Sequence, residues 1–289
     1  DRKKTQWIQR IAAEMRKIMA LKKKPTTGMK DILPKEMEIR DYVIQQIKET
    51  YKSFGFQSIE TPCVEHIENL NSKQGGENEK LIFKILKRGQ KLKLETAESE
   101  ADLVDSGLRY DLTVPLSRYY ANNANELPAP FKALQMGNVW RADRPQRGRF
   151  RQFMQCDIDI LGEPTYLAEI ELILATTTLL GKLDFKNFTI RINNRKMLKG
   201  LAKYCGFPEE SYDDVFIILD KMDKIEMSGV EAELLEAGYD KEAVEKCKNL
   251  FETVTNDLDG VRYMKETLGD CLEEGVAEDL ETIIQTCLL

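Results

Sequence analysis

The sequence predicts an α+β fold, an antiparallel sheet flanked by helices and followed by a mostly helical region. Three observations carry this reading. Two strand-length segments, 131–141 and 150–161, follow one another across a polar, arginine-rich tip and read as an antiparallel hairpin. Helical patterns at 35–54 and 163–180 flank them. Beyond about residue 194 the strand signal nearly vanishes and helical stretches recur. The organisation expected is a basic helical extension over 1–26, an α+β domain over 27–194 and a mostly helical domain over 195–289.

The elements follow in order. Residues 5–20 place Trp7, Ile8, Ile11, Met15, Ile18 and Met19 on one helical stripe, ended by Lys22–Pro25. Pro34 opens a second helix, with Met37, Tyr42, Val43, Ile47 and Tyr51 as its apolar set and Gly55 as its stop. Phe56–Glu60 reads as a short strand closed by Pro62. The polar stretch 71–107 offers strand-like pieces only at Leu81–Leu86 and Lys91–Leu94. Arg109–Val114 reads as extended, and Pro115 as the start of a helix through Tyr120. After the long hairpin, Glu163–Leu180 is a helix ended by Gly181, and Phe188–Ile192 is a further strand. Val215–Leu219 is then the only short apolar run; helices are expected at 195–204, 229–237, 240–256 and 276–288.

Composition excludes several classes of function. Of 289 residues, 42% are apolar, enough for a packed core, so global disorder is ruled out. No stretch reaches the roughly eighteen apolar residues of a membrane helix, so no membrane partner is expected. The single histidine, His66, rules out a multi-histidine metal site, and no metal-ligand set is read from the chain. Six scattered cysteines without a CxxC pair read as reduced, in a cytoplasmic protein. Residues 1–35 hold eleven basic and three acidic side chains, a net of +8; residues 226–289 have a net of −12. Between these ends, Arg141, Arg144, Arg147, Arg149 and Arg151 form a cluster opposed only by Asp143, a pattern that suits phosphate.

The hairpin carries the candidate chemistry. Alternation along its second strand puts Arg149, Arg151, Phe153, Gln155, Asp157 and Asp159 on one face. Such a row is poor core material, because burying those groups unpaired costs roughly several kcal/mol each. It suits a ligand: arginines for phosphate oxygens, a ring for a base, carboxylates for an amine. A solvent-exposed hairpin with cross-strand ion pairs is the alternative.

These residues also carry a resemblance. Arg141-Ala142-Asp143, the loop and the aromatic strand after it resemble motif 2 of the class II aminoacyl-tRNA synthetases. The fuller string from Arg144 to Gln155 is similar to the histidyl-tRNA synthetases, as are Thr27–Pro34 and Leu108–Pro115. Phe54–Pro62 resembles class II motif 1. Gln155–Asp159 and Leu219–Lys224 resemble the eukaryote-like branch of that family.

The resemblance implies a class II antiparallel sheet with a helical insertion domain. It implies a ligase that activates L-histidine with ATP, Mg2+ being carried with the nucleotide, and transfers it to tRNA(His). It implies a homodimer through motif 1. By position it makes Arg141 the catalytic arginine at the ATP α-phosphate, Asp143 a contact of the adenine amino group, Arg149 a contact of the outer phosphates and Phe153 the adenine stack. Asp111 and Thr113 would bind the substrate's α-amino group, with Gln155 and Asp159 completing the histidine pocket and Asp159 reading the imidazole. Any tRNA contact in the helical region is expected from Arg191, Arg195, Lys196, Lys199 or Lys203. The family's glycine-rich motif 3 is not found in these residues, so this stretch alone is expected to be inactive in histidine-dependent ATP–pyrophosphate exchange. The alternative is the related regulatory subunit of ATP phosphoribosyltransferase, which has no need of the ATP-facing Arg141, Arg149 and Phe153. A third reading is a synthetase-like sensor or dimerisation domain.

Overall fold

The computed structural model describes residues 23–71 and 77–288. The helix expected over 5–20 lies outside the described residues. Contacts divide the chain into two compact units, one ending at Gly162 and the other beginning at Glu163.

The first unit is built on two small sheets. Helix α1, Pro34–Ser53, starts with proline at its first turn, where a missing N–H costs nothing. It ends where Gly55 adopts a left-handed φ of 85°, and Phe56 N–H returns to the Tyr51 carbonyl. Tyr51 is buried edge-on against Phe56, but Tyr42 of the expected apolar set is exposed. Strand β1, Gln57–Ile59, is short, as expected. Strand β2, Val64–His66, and the one-turn helix α2, Ile67–Leu70, follow. Strand β3 covers Lys84–Leu86, helix α3 Glu100–Leu103 and strand β4 Val104–Leu108. Helix α4, Thr113–Asn123, precedes the hairpin of β5, Phe131–Trp140, and β6, Gln152–Leu161.

The hairpin pairs in unbroken register from Phe131 opposite Leu161 to Trp140 opposite Gln152. β1 joins β5 in parallel, which the long crossover between them allows. The second sheet runs β2-β4-β3, all antiparallel. Under the hairpin, Leu116, Phe131 and Ala133 form a core, with Tyr119 and Tyr120 both stacked on the Phe131 ring.

Several local expectations are corrected. Lys91–Leu94 alternates like a strand, but it follows the 3₁₀ turn Gly89–Lys91, has no ladder partner, and leaves Leu94 exposed. Arg109–Val114 is extended only at its start, because helix α4 already begins at Thr113 and takes in Pro115 near its N-terminus. β2 and β4 were not anticipated; both are short and carry polar residues that hide any alternation.

The second unit is helical throughout its described residues. Helix α5, Leu167–Lys182, runs through Gly181. Phe188–Ile192 forms no strand; Phe188 is exposed and no neighbouring strand offers it a ladder. Helix α6, Arg195–Cys205, is capped by Asn194, whose side chain accepts from Lys196 N–H. The apolar run Val215–Leu219 belongs to helix α7, Tyr212–Leu219. Helices α8, Met222–Glu236, and α9, Lys241–Thr253, follow, α9 capped by Asp240. Helix α10, Leu258–Leu268, was not anticipated, and α11 covers Val276–Cys287. Leu201, Val215, Val230, Leu234, Val244 and Cys247 form the centre of this unit's core. α5 packs against α11, so by contacts it groups with the helices rather than the sheets. Of the six cysteines, all free, only Cys205 and Cys247 are buried.

Candidate active site

The site is assembled where the segment Arg109–Thr113 crosses the β5–β6 hairpin. Arg109 is the pin. Its side chain is buried, with Nε donating to the Asn138 carbonyl at 3.0 Å and one amino group to the Thr61 carbonyl at 2.7 Å. Its backbone carbonyl accepts from Trp140 N–H at 3.0 Å, and its N–H donates to the Cys63 carbonyl at 2.9 Å. Buried Gln135 donates to the Leu112 carbonyl and faces the Thr61 hydroxyl. The segment is therefore held from both sheets, and Asp111 is delivered to the hairpin face. Asp111 also accepts from Val114 N–H at 3.1 Å, which anchors it to the start of α4.

Arg141, just past β5, is held in two ways. Its Nε donates to the Tyr110 carbonyl at 3.0 Å, and its guanidinium carbon lies 5.2 Å from the centroid of the Phe153 ring. Among the described residues its terminal amino groups carry no hydrogen bond, so they remain free for an anion. Further along β6, alternation carries the face from Phe153 through Gln155 and Asp157 to Asp159. One oxygen of Gln155 and one of Asp159 are buried and have no hydrogen-bond partner among the described residues. Burial of such acceptors is costly unless a donor arrives, so both mark where a ligand N–H belongs.

The electrostatics agree. Burial, then the neighbouring Asp157 and Asp111, pushes the Asp159 carboxyl above its usual range. Burial, then Asp111, raises Asp157, with Arg141 opposing. Three carboxylates thus share a half-buried face with one guanidinium. In the absence of substrate this arrangement destabilises the fold at neutral pH. A carboxyl raised in the folded state takes its proton first in that state, so stability is regained as pH falls toward the unfolded value of 3.8. Asp159→Asn is therefore expected to raise the melting temperature without ligand at pH 7. The advantage should shrink toward about pH 4; a less stable variant at pH 7 contradicts it.

The other residues expected in the site are placed as follows. Asp143 and Arg149 pair with each other, Arg149 Nε and one amino nitrogen lying 3.2 and 3.0 Å from one Asp143 oxygen. A nucleotide reaching either of them must open or share this pair. The Arg151 side chain is drawn to the loop backbone, with no acid paired to it among the described residues. Its Nε donates to the Asp143 carbonyl, and its stem lies under Gly28, whose φ of 81° suits glycine and where a Cβ would fall 2.7 Å from Arg151 Cγ. Thr113 is exposed at the start of α4. In the helical unit Arg191, Arg195 and Lys196 are ion-paired with Asp223, Asp213 and Glu273.

A family model described as Histidyl-tRNA synthetase matches residues 28–286. The chain belongs to the histidyl-tRNA synthetase family. A histidine–tRNA ligase of Leifsonia xyli is 46% identical over 224 residues, covering 76% of this chain and 52% of that protein. One of Flavobacterium johnsoniae is 38% identical over 294 residues, covering 92% of this chain and 62% of that protein. Among solved structures, the histidyl-tRNA synthetase of Nostoc sp. PCC 7120 superposes with a TM-score of 0.75 at 28% identity, over 93% of this chain and 58% of that one. An ATP phosphoribosyltransferase regulatory subunit/histidyl-tRNA synthetase from Bacillus halodurans gives a TM-score of 0.69 at 18% identity, over 92% of this chain and 64% of that one, which speaks to the fold alone. The chain spans between half and two thirds of the length of these relatives.

Sequence reasoning passed over Arg109, Gln135 and Thr61 as parts of this candidate site. One signal was available: Gly137 in the middle of a long strand marks a close approach, and the Arg109 guanidinium fills the space its side chain would take.

Proposed function

We propose that this chain is the motif 1 and motif 2 part of a histidine–tRNA ligase, which activates L-histidine with ATP and passes it to tRNA(His). The observation that carries the reading is the row on β6. Arg141 and Phe153 stand at one end and Asp159 at the other, with Gln155 between them, and Gln155 and Asp159 each have a buried oxygen without a partner among the described residues. In this reading a carboxylate oxygen of histidine attacks the α-phosphorus of ATP, a new P–O bond forms, and pyrophosphate leaves. Arg141 holds the α-phosphate and balances the charge gathering on it. Phe153 stacks on adenine, Asp143 meets its amino group, and Arg149 turns from Asp143 to the outer phosphates, with Mg2+ neutralising those oxygens when the nucleotide binds. Asp111 and Thr113 take the α-ammonium, Gln155 and Asp159 complete the histidine pocket, and Asp159 accepts from the imidazole N–H.

Residues 1–26 are then an extension, 27–194 the catalytic segment and 195–289 the insertion, in a cytoplasmic protein. The strings Gln155–Asp159 and Leu219–Lys224 favour the eukaryote-like branch, although the relatives compared above are bacterial. Leu33 at the N-cap of α1, Ile39 and Tyr42 on that helix and Val64 of β2 are exposed apolar side chains available to a motif 1 homodimer. Sedimentation of the full-length polypeptide as a monomer counts against that homodimer. The ligase reading is tested by histidine-dependent ATP–pyrophosphate exchange and charging of tRNA(His) in the full-length polypeptide. The 289-residue stretch alone is expected to show no exchange. Histidine binding with no exchange in the full-length polypeptide favours the regulatory subunit instead.

A further inference from the structure

We infer that Asp157 is a second carboxylate for the substrate's α-ammonium, and so sets the specificity of the pocket for an α-amino acid. The inference rests on the histidine-activating reading above. It follows from the order of groups along β6 and the order of atoms in the substrate.

At one end of the face, Arg141 lies over the Phe153 ring and has its amino groups free for a phosphate. At the other, Asp159 has a buried oxygen that lacks a donor. Gln155 and Asp157 stand between them, and Asp157, the carboxylate of the two, lies one same-face step of roughly 6.7 Å from Asp159, on the scale of a single histidine side chain. Its electrostatic neighbours place it the same way. Asp157 feels both Asp111 and Arg141, whereas Asp159 feels Asp157 and Asp111. Histidine must lie along this row with its carboxylate toward the phosphate end, because that carboxylate attacks phosphorus. Its ring then reaches the Asp159 end. The group left between is the α-carbon with its ammonium, opposite Asp157 on the strand and Asp111 on the crossing segment.

Charge and hydrogen bonding support the same assignment. Among the described residues no hydrogen-bond donor reaches the Asp157 carboxylate. Nor do any three His, Cys, Asp or Glu side chains among them form a group able to hold a metal ion. One guanidinium, already facing the phosphate position, does not balance three carboxylates. An ammonium has three N–H donors, and Asp111 spends one oxygen on Val114 N–H. Thr113 offers a hydroxyl and Gln155 an amide oxygen, both neutral, so a second carboxylate is the acceptor that also answers the charge.

The test uses histidine-dependent pyrophosphate exchange in the full-length polypeptide, with imidazolepropionate, which is histidine without its amino group, as inhibitor. Asp157→Asn is expected to raise KM for histidine roughly 10- to 100-fold, the usual worth of a hydrogen bond to a charged group. It should leave kcat within a few-fold and leave inhibition by imidazolepropionate unchanged. Asp157→Glu, which keeps the charge, should lose less. Thermal melting shows whether each variant is folded, and Asp157→Asn is expected to melt no lower than wild type, since it removes an unpaired half-buried acid. An unchanged KM overturns the inference. So does an equal loss for histidine and for imidazolepropionate, which places Asp157 on the ring or in the scaffold. If Asp157→Asn is silent while Asp159→Asn abolishes exchange, the inference fails and the ligase reading stands. Wild-type protein with no histidine dependence overturns both.

Discussion

Replacing Arg141 by glutamine is expected to lower the rate of histidyl-adenylate formation about 10²- to 10³-fold, the usual consequence of deleting a charge-stabilising donor at a reacting centre. The loss should fall on kcat more than on KM for histidine, because the amino groups of Arg141 face the phosphate end of the row. Lysine is expected not to rescue it. Arg141 does three things at once: Nε donates to the Tyr110 carbonyl, the plane of the guanidinium lies over Phe153, and the far nitrogens stay free. An ammonium is a point charge and can do only one of these. Single-turnover adenylate formation in the full-length polypeptide decides the matter. Recovery to within ten-fold by Arg141→Lys means that charge alone suffices, and the planar, two-sided hold is then irrelevant to the chemistry.

The hairpin was legible because two strand-length runs flank a polar tip; they pair in unbroken register over ten residues each, so the two-residue period of a strand puts Phe153, Gln155 and Asp159 on one face from spacing alone. Two helix starts that were legible carry side-chain caps, Asn194 and Asp240, which accept from the backbone two residues on, but a cap alone was not enough, since Asp257 caps the unanticipated α10 through Gly260 N–H. β2 was not, because its one buried residue is Glu65, which alternation reads as outward. Its burial depends on Arg118, fifty-three positions away, which forks onto it at 2.7 and 2.9 Å. That pairing is tertiary, and no local pattern announces it. Phe188–Ile192 fails in the opposite sense. Its alternation is strand-like, yet a strand needs a neighbour to pair with, and the described residues offer none. For the site, spacing named the residues but not their partners. Asp143 and Arg149 were each read as nucleotide contacts; the fold joins them through one Asp143 oxygen, so a nucleotide meets them as a pair that it opens or shares.

Arg109 and Gly137 make the sharpest test of how the fold holds its site. Among the described residues the Arg109 guanidinium has no carboxylate partner; it is satisfied by the carbonyls of Thr61 and Asn138 and by the Thr61 hydroxyl. Removing it strands acceptors that are shielded from water, so Arg109→Met is expected to cost roughly 3 to 5 kcal/mol. Gly137→Ala attacks the same contact from the other side. A Cβ there would fall 2.2 Å from one guanidinium nitrogen, and the planar fork, tied at its other nitrogens, cannot swing without breaking those bonds. About 2 to 3 kcal/mol is expected. The two costs should not add. Once Arg109 is gone, the space over Gly137 opens, and Gly137→Ala in the Arg109→Met background should cost less than half as much, a coupling of about 1 kcal/mol or more. Urea unfolding followed by Trp140 emission in a Trp7→Phe background reads all four proteins, since Trp140 sits on β5 with its indole N–H on Gln152. If the two losses simply add, the guanidinium does not depend on the missing side chain at 137.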